Sequence, residues 1–306
     1  MVPRPKAASS LVGTVVGGRY RIIQLLGSGG TGHVYLAEST HSLPPLRSGV
    51  SRPRIALKVL RPEHASRPDL VARFEREAVA AARIHHPNVL RVLETCVHAE
   101  GERYFAMELL VGLDLADTLA RCRSLLPARA TRIAAAAAAG LEAAHQAGVI
   151  HRDIKPENIF LVHEKDGREQ VKLLDFGFSR LHDDPAARGR PTMAVGTPEY
   201  MAPEQAQGAD GHPSADIYSL GIVLYEMLAG RVPFSGPYPA IALRHAREAP
   251  APLQSPAVTP PLEAAVLRAI EKDPADRWLS MADFARALLG TLGDLGPLDP
   301  PTPLPS

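Results

Sequence analysis

The sequence predicts an α+β chain of two lobes, a small β-rich lobe carrying one helix followed by a larger helical lobe. Three observations point there. Short runs of strand-forming residues dominate from Tyr20 to Glu108, the pattern turns helical after Gly112, and 306 residues exceed one ordinary domain while fitting two lobes with short tails.

Residues 1–16 are expected to form a flexible leader. Strands are expected at Tyr20–Leu26, His33–Ala37 and Ile55–Leu60. Residues 38–54, with Pro44, Pro45 and Pro53 among serines and arginines, are too long for a hairpin and read as a long loop insertion. A helix is expected from Pro68 to Ile84, where Leu70, Val71, Phe74, Ala78, Ala81 and Ile84 recur at helical spacing. Strands near Val89–Val97 and Arg103–Glu108 flank a turn at Ala99-Glu100-Gly101, and the first lobe, 17–110, ends there. In the second lobe, 111–290, a helix opens on Pro127 and stops at Ala147, before Gly148. Asp216–Ala229 is apolar enough to be buried on most sides. Helices at Pro239–Arg247, Pro261–Glu271 and Met281–Leu289 complete the lobe, and 291–306 reads as a Pro-rich disordered tail.

Apolar residues make up 45% of the chain, enough for a sizeable core. A net charge of +1 predicts no general attraction to nucleic acid or to an anionic membrane. Cys96 and Cys122 stand outside any CxxC pair and are too few for a disulfide framework, so both are expected as small buried side chains in a reducing compartment. No stretch approaches the roughly 20 apolar residues that span a bilayer. The alanine run from Ala134 to Ala144 is interrupted by Gly140 and Glu142, and helix propensity explains it. Arg4 and Lys6 are followed by no apolar core, so the N-terminus does not read as a signal peptide, and a cytoplasmic location is expected.

The chemistry is concentrated in His151-Arg152-Asp153-Ile154-Lys155-Pro156-Glu157-Asn158, followed by Asp175-Phe176-Gly177. Two acids, an amide and two bases in one short stretch suit transfer of a phosphoryl group from ATP. Asp153 can accept a hydroxyl proton, and Lys155 can neutralise charge on the moving group. Asn158 and Asp175 offer hard oxygen ligands of the kind magnesium takes one or two at a time. Gly27, Gly29, Gly30 and Gly32 form a GxGxxG loop between two strands, where glycine lets the backbone bend and bring amide donors to phosphate oxygens. An ordinary glycine turn would read the same way. The loop precedes a strand instead of opening a helix, which argues against a dinucleotide fold. A histidine metal site lacks a second ligand at any usual spacing.

These motifs, in this order, resemble the eukaryotic-type (Hanks-type) serine/threonine protein kinases, in a bacterial-like form, with Lys155 two residues after the acid marking that branch. The resemblance runs from about residue 19 to 289 and implies the bilobal protein-kinase fold. It implies an ATP site in which Leu26 and the glycine loop precede Val34 over the adenine, with Ala56 and Lys58 in Ile55-Ala56-Leu57-Lys58 matching the VAIK motif. Lys58 would contact the α and β phosphates. Met107 would be the gatekeeper, and the Glu108 carbonyl and Leu110 amide would bind the adenine edge. Phe160 would form the pocket floor where many relatives place leucine. Asp114 would reach the ribose or a basic substrate residue, or cap a helix. Lys58 needs a glutamate from the following helix. Glu77 lies roughly 50° from the middle of the apolar stripe and Glu75 roughly 110°, at about 100° per residue, which favours Glu77.

In the second lobe the resemblance makes Asp153 the general base, Asp175 the residue bridging metal to the β and γ phosphates, and Asn158 the holder of a second metal. Thr197, in the segment Gly196-Thr197-Pro198-Glu199-Tyr200-Met201-Ala202-Pro203-Glu204, would hydrogen-bond Asp153 and Lys155. Glu204 would pair with Arg277, and Asp216 would anchor the catalytic-loop backbone. His151 and Phe176 would pack. Arg152, beside the catalytic acid, would take a phosphorylated activation-loop residue as its counter-charge. Thr192, four residues before Gly196, is the expected phosphosite, with an ordinary loop threonine as the alternative.

The function this implies is transfer of the γ-phosphoryl group of ATP, with Mg2+ or alternatively Mn2+, to serine and threonine hydroxyls of protein substrates. Activation-loop autophosphorylation in a transient homodimer would accompany it, with no nucleic-acid partner and no membrane span. A pseudokinase scaffold usually lacks the lysine, the catalytic acid or the metal-binding aspartate, and Lys58, Asp153 and Asp175 are all present. A small-molecule phosphotransferase would lack the substrate-side segment ending in Ala202-Pro203-Glu204.

Overall fold

The structure is a computed structural model that describes residues 11–40, 53–97, 103–164, 167–176, 180–181, 197–208 and 211–295. The chain divides into two compact units, one formed by residues 1–83 and 90–110, the other by 84–89 and 111–306.

The first unit is a six-stranded sheet with one helix. The strands are β1 (Val15–Val16), β2 (Tyr20–Ser28), β3 (Gly32–Ser39), β4 (Arg54–Leu60), β5 (Val92–Val97) and β6 (Arg103–Met107), in the spatial order β1-β2-β3-β4-β6-β5 with every pairing antiparallel. Alternation decides which face is buried. In β2, Tyr20 and Ile22 point inward, and they join Tyr35, Ala37, Ile55, Leu57 and Tyr104 in one apolar cluster. On the other face Ala56, Phe74, Ala78, Phe105 and Met107 form a second cluster, to which α1 (Pro68–Arg83) contributes its apolar stripe.

Two expectations change here. The leader reaches the sheet, since Val15 and Val16 pair with Arg21 and Tyr20. The long insertion is shorter than 38–54, because Glu38 stands opposite Arg54 in the β3–β4 ladder and the Ser39 amide donates to the Pro53 carbonyl at 3.2 Å. Residues 41–52, the Ala99-Glu100-Gly101 turn and residues 1–10 lie outside the described residues.

The second unit has β7 (Gly112–Asp114), α2 (Leu115–Cys122), α3 (Pro127–Gln146), β8 (Val149–Ile150), β9 (Ile159–His163), β10 (Glu169–Leu173), β11 (Arg180–Leu181), α4 (Pro203–Ala206), α5 (Pro213–Ala229), α6 (Ala240–Arg247), α7 (Pro260–Ala269) and α8 (Met281–Gly290). The alanine-rich α3 packs on α5 and α8, small side chains letting the helices approach closely. α5 is buried nearly throughout and ends on Gly230 in the left-handed conformation, φ 69°. The small strands β10-β9-β7 and the pair β11-β8 were not expected, and they carry the loops that matter chemically.

Three further corrections belong to this unit. Residues 84–89 join it instead of the first lobe, because Asn88 donates its side-chain amide to the Val171 carbonyl at 2.9 Å and accepts the Leu173 amide at 2.8 Å. The tail begins later than residue 291, since Thr291 is buried and Leu292–Asp294 form a 3-10 turn. Cys122 is exposed on α2, not buried, and the Cys96 side chain lies outside what is described. Among the described residues no helix is long and apolar enough to cross a membrane.

Candidate active site

In the first unit the β2–β3 hairpin carries the glycine loop. Gly27 stands opposite Val34 and Ser28 opposite His33, and the Gly29 amide donates to the Gly32 carbonyl at 2.9 Å to close the tip. Gly32 is required by space, since a Cβ there would lie 2.6 Å from the Val59 carbonyl and 3.3 Å from the Phe74 ring. Ser28 and His33 share a hydrogen bond at 2.9 Å, and burial lowers the imidazole pKa.

The ladder sets out the remaining residues. Val34 faces Lys58, and Ala56 faces Met107, so Val34, Ala56 and Met107 meet in one apolar cluster, while Leu26 is exposed. Lys58 Nζ forms a buried ion pair with Glu77 of α1, the two side chains being 7% and 6% exposed, and stands 5.8 Å from the centre of the Phe105 ring. Glu75 points elsewhere, to Arg103 at 2.9 Å. Glu108 follows β6, where its carboxylate accepts the Arg91 amide at 2.8 Å and its own amide donates to the Arg91 carbonyl at 3.0 Å. Leu110 closes this unit.

In the second unit the segment after β8 winds around two anchors. Asp216, fully buried on α5, accepts the amides of His151 at 2.9 Å and Arg152 at 2.8 Å, and the His145 ring at 2.8 Å. Burial works against its charge, but the His145 donor, the histidine charges and the Arg152 amide prevail and hold the carboxyl below its usual range. Arg152 takes φ 71° at the resulting bend, and its guanidinium fills the space a side chain at Gly211 would need. His151 is the second anchor, with Nε2 2.8 Å from the Leu174 carbonyl and its ring 4.7 Å from Phe176.

These anchors present four polar groups together. Lys155 Nζ is 3.0 Å from Asp153 Oδ2 and donates to Thr197 Oγ1 at 3.1 Å. Asn158 donates its amide to the Asp153 carbonyl at 2.6 Å and to Asp153 Oδ2 at 3.2 Å, which fixes which way the amide faces and leaves Asn158 Oδ1 open as an acceptor. Thr197 thus meets the lysine directly, and the aspartate is reached through Lys155. Asp175 is exposed with φ 52°. An amide oxygen and a carboxylate make a small, hard donor set. Among the described residues no three His, Cys, Asp or Glu side chains group into a metal cage. That sparse set fits a hard divalent cation that keeps most of its shell for water and phosphate.

The remaining positions are structural in their contacts. Asp114 caps α2, accepting the Asp117 amide at 2.7 Å, with burial pushing its carboxyl pKa up; it stands opposite Phe160 in the β7–β9 ladder. Glu204 takes both guanidinium nitrogens of Arg277. Gly177, Thr192 and Gly196 lie outside the described residues. Sequence reasoning missed His145 and Arg61, whose polar partners are a distant carboxylate and backbone carbonyls. It also missed the half-buried bond that the Tyr200 hydroxyl donates to Glu226 at 2.7 Å.

A buried lysine–glutamate pair under a glycine loop, and an Asp–Lys–Asn loop anchored from a buried aspartate, define the phosphotransferase class. Residues 20–281 match the protein kinase domain, and the chain belongs to the protein kinase family. The serine/threonine-protein kinase Pkn3 of Myxococcus xanthus is 39% identical over 285 residues, covering 90% of this chain and 50% of that protein. The serine/threonine-protein kinase PkaB of Streptomyces coelicolor is 38% identical over 291 residues, covering 93% of this chain and 66% of that protein. The chain therefore spans about half to two thirds of the length of these relatives. Among solved structures, the PknI kinase domain of Mycobacterium tuberculosis is similar, with a TM-score of 0.65 and 29% identity, covering 92% of this chain and 98% of that one.

Proposed function

We propose that this chain is an active serine/threonine protein kinase, transferring the γ-phosphoryl group of Mg-ATP to serine and threonine hydroxyls of proteins. The observation that carries this reading is the cluster of Asp153, Lys155, Asn158 and Thr197, held together by hydrogen bonds in one loop system. The acceptor hydroxyl gives its proton to Asp153 as its oxygen bonds to the γ phosphorus, the bond from that phosphorus to the bridging oxygen breaks, and ADP leaves. Lys155 offsets the charge on the moving group. Thr197, bound to Lys155, orients it on the side where a protein substrate would lie. When bound, Mg2+ supplies charge neutralisation at the phosphates, and Asn158 and Asp175 are the residues that would hold it. Lys58, oriented by Glu77, would hold the α and β phosphates, and the glycine-loop amides the phosphates beyond.

Both named relatives are serine/threonine-protein kinases, which supports the acceptor class. Phosphorylation of Thr192 by a second copy in a transient homodimer would supply a phosphate for the Arg152 guanidinium. The test is transfer of labelled γ-phosphate from Mg-ATP to itself and to a generic acceptor protein, comparing wild type with Asp153→Asn. Phosphoserine or phosphothreonine in the wild type alone is expected. Equal labelling of both, or none in either, would overturn the reading. Substituting Mn2+ for Mg2+ in the same assay ranks the two metals.

A further inference from the structure

Arg61 lies just past the end of β4, three residues beyond Lys58, and is 28% exposed. Its Nε and Nη2 both donate to the carbonyl of Gly29, at 3.1 and 2.8 Å. Its backbone amide donates to the carbonyl of Thr31 at 3.2 Å, and the His64 ring nitrogen lies 3.4 Å from that same oxygen. One residue therefore holds two of the carbonyls at the tip of the glycine loop.

The consequence follows from peptide geometry. A trans peptide points its N–H opposite to its C=O. Fixing the Gly29 carbonyl on the guanidinium aims the Gly30 amide away from Arg61, and fixing the Thr31 carbonyl does the same for the Gly32 amide. The Gly30 amide has no partner among the described residues. A loop with glycine at 27, 29, 30 and 32 has much freedom to lose on binding a ligand. The planar fork of arginine is already rigid, so a fork on one carbonyl removes that freedom before the ligand arrives. Glu63, 3.5 Å from the guanidinium, partly offsets its charge, which suits a clamp better than a phosphate ligand.

We propose that Arg61 is a positioning residue that pre-forms the phosphate-binding conformation of the glycine loop by clamping the Gly29 and Thr31 carbonyls. This rests on the reading of that loop as the phosphate cover of a kinase. The test is titration of Mg-ATP and of adenosine against wild type, Arg61→Ala and Arg61→Lys, with melting temperatures measured alongside. Adenosine lacks phosphates and so reports on the rest of the site. The expected result is about tenfold weaker ATP binding in Arg61→Ala, equivalent to ~1.4 kcal/mol, with adenosine affinity unchanged. Arg61→Lys should recover only part of the loss, because an ammonium cannot place two donors on one oxygen. The KM for ATP should rise in step while kcat at saturating ATP stays close to wild type. Unchanged ATP affinity in Arg61→Ala, equal losses for ATP and adenosine, or full recovery in Arg61→Lys would each overturn the clamp. If Arg61→Ala does not fold, Arg61→Gln, which keeps one donor nitrogen and loses the fork, gives the same comparison. Wild type that binds ATP no better than adenosine would defeat the kinase reading itself, a result distinct from ATP-selective wild type with an indifferent Arg61→Ala.

Discussion

Lys58 Nζ and Glu77 Oε1 form an ion pair buried between β4 and α1, with both side chains almost wholly removed from water. The cost of burying two charges is recovered only when they stay paired, so the pair fixes the lysine in one place. Lys58→Met should lower phosphoryl transfer on the order of a thousandfold by removing a positioned phosphate contact. Glu77→Gln keeps the shape and removes the counter-charge, and should cost less. Radiolabel transfer by the purified variants, with circular dichroism to establish folding, checks both. Unchanged turnover in folded Lys58→Met would remove the lysine from the mechanism.

Arg277, 1% exposed, places its guanidinium on both oxygens of Glu204, at 2.6 and 2.8 Å, across 73 residues of chain. The remaining donors go to the carbonyls of Glu271, Ser214 and Lys272, and the Tyr218 ring lies 4.8 Å away. Removing the guanidinium leaves Glu204 and three carbonyls without it. Arg277→Ala should therefore destabilise the protein by about 3–5 kcal/mol, as breaking one side of a buried pair does. Arg277→Lys should recover little, because lysine cannot fork. A melting temperature for Arg277→Ala equal to wild type would refute the structural role.

What was legible in the sequence divides along physical lines. Glu77 could be chosen over Glu75 from helical periodicity alone, because the stripe that packs a helix also sets which glutamate turns inward. The pairing of Glu204 with Arg277 has no local signal and was legible only through the resemblance. β7, β9 and β10 were missed because strands of three to five residues between helices carry too little alternation to register. Residues 84–89 read as part of the first lobe, because the bond Asn88 donates to Val171 and the one it accepts from Leu173 depend on tertiary contact. The clamp at Arg61 escaped for a related reason. Its acceptors are main-chain carbonyls, which every residue has, so no residue type marks them.

The His245 ring, fully buried on α6, shares a hydrogen bond with the Tyr218 hydroxyl at 2.8 Å. Burial first, and then the charge of Lys272, lower its pKa to about 4, against the opposing pull of the Glu199 and Pro198 backbone. The unfolded chain takes up the proton near 6.5, before the native state does. Stability from this group is therefore complete above pH 6.5 and is lost as pH falls towards 4. Chemical denaturation at pH 7.5 and pH 5 should show weaker folding at the lower pH, and His245→Asn should lose less than wild type over that interval. Identical pH dependence in the two proteins would exclude His245 as a source.

Lys272 Nζ is buried with no hydrogen-bond partner among the described residues, over the Phe234 ring at 4.2 Å and the Tyr218 ring at 5.9 Å. Burial is the main cause that lowers its pKa to about 8; the Arg277 charge adds to it, while Glu271 and Glu248 oppose. The native state thus holds this proton less tightly than the unfolded chain, whose lysine titrates near 10.5. Below pH 8 both states are charged and the native state bears the full cost of burial. Between pH 8 and 10.5 the native lysine sheds its proton and that cost disappears, so this group's contribution to stability rises with pH. Lys272→Met fills the same space without the charge, and leaves the Lys272 carbonyl to Arg277. It should raise the melting temperature at pH 7 by about 2–4 °C, and the gain should shrink towards zero by pH 10.5. Loss of the stacked ammonium acts in the opposite direction but is the weaker effect, as the lowered pKa shows. Thermal melts of both proteins at pH 7 and pH 10 decide it: a variant no more stable than wild type at pH 7 would mean that the aromatic rings compensate the buried charge in full.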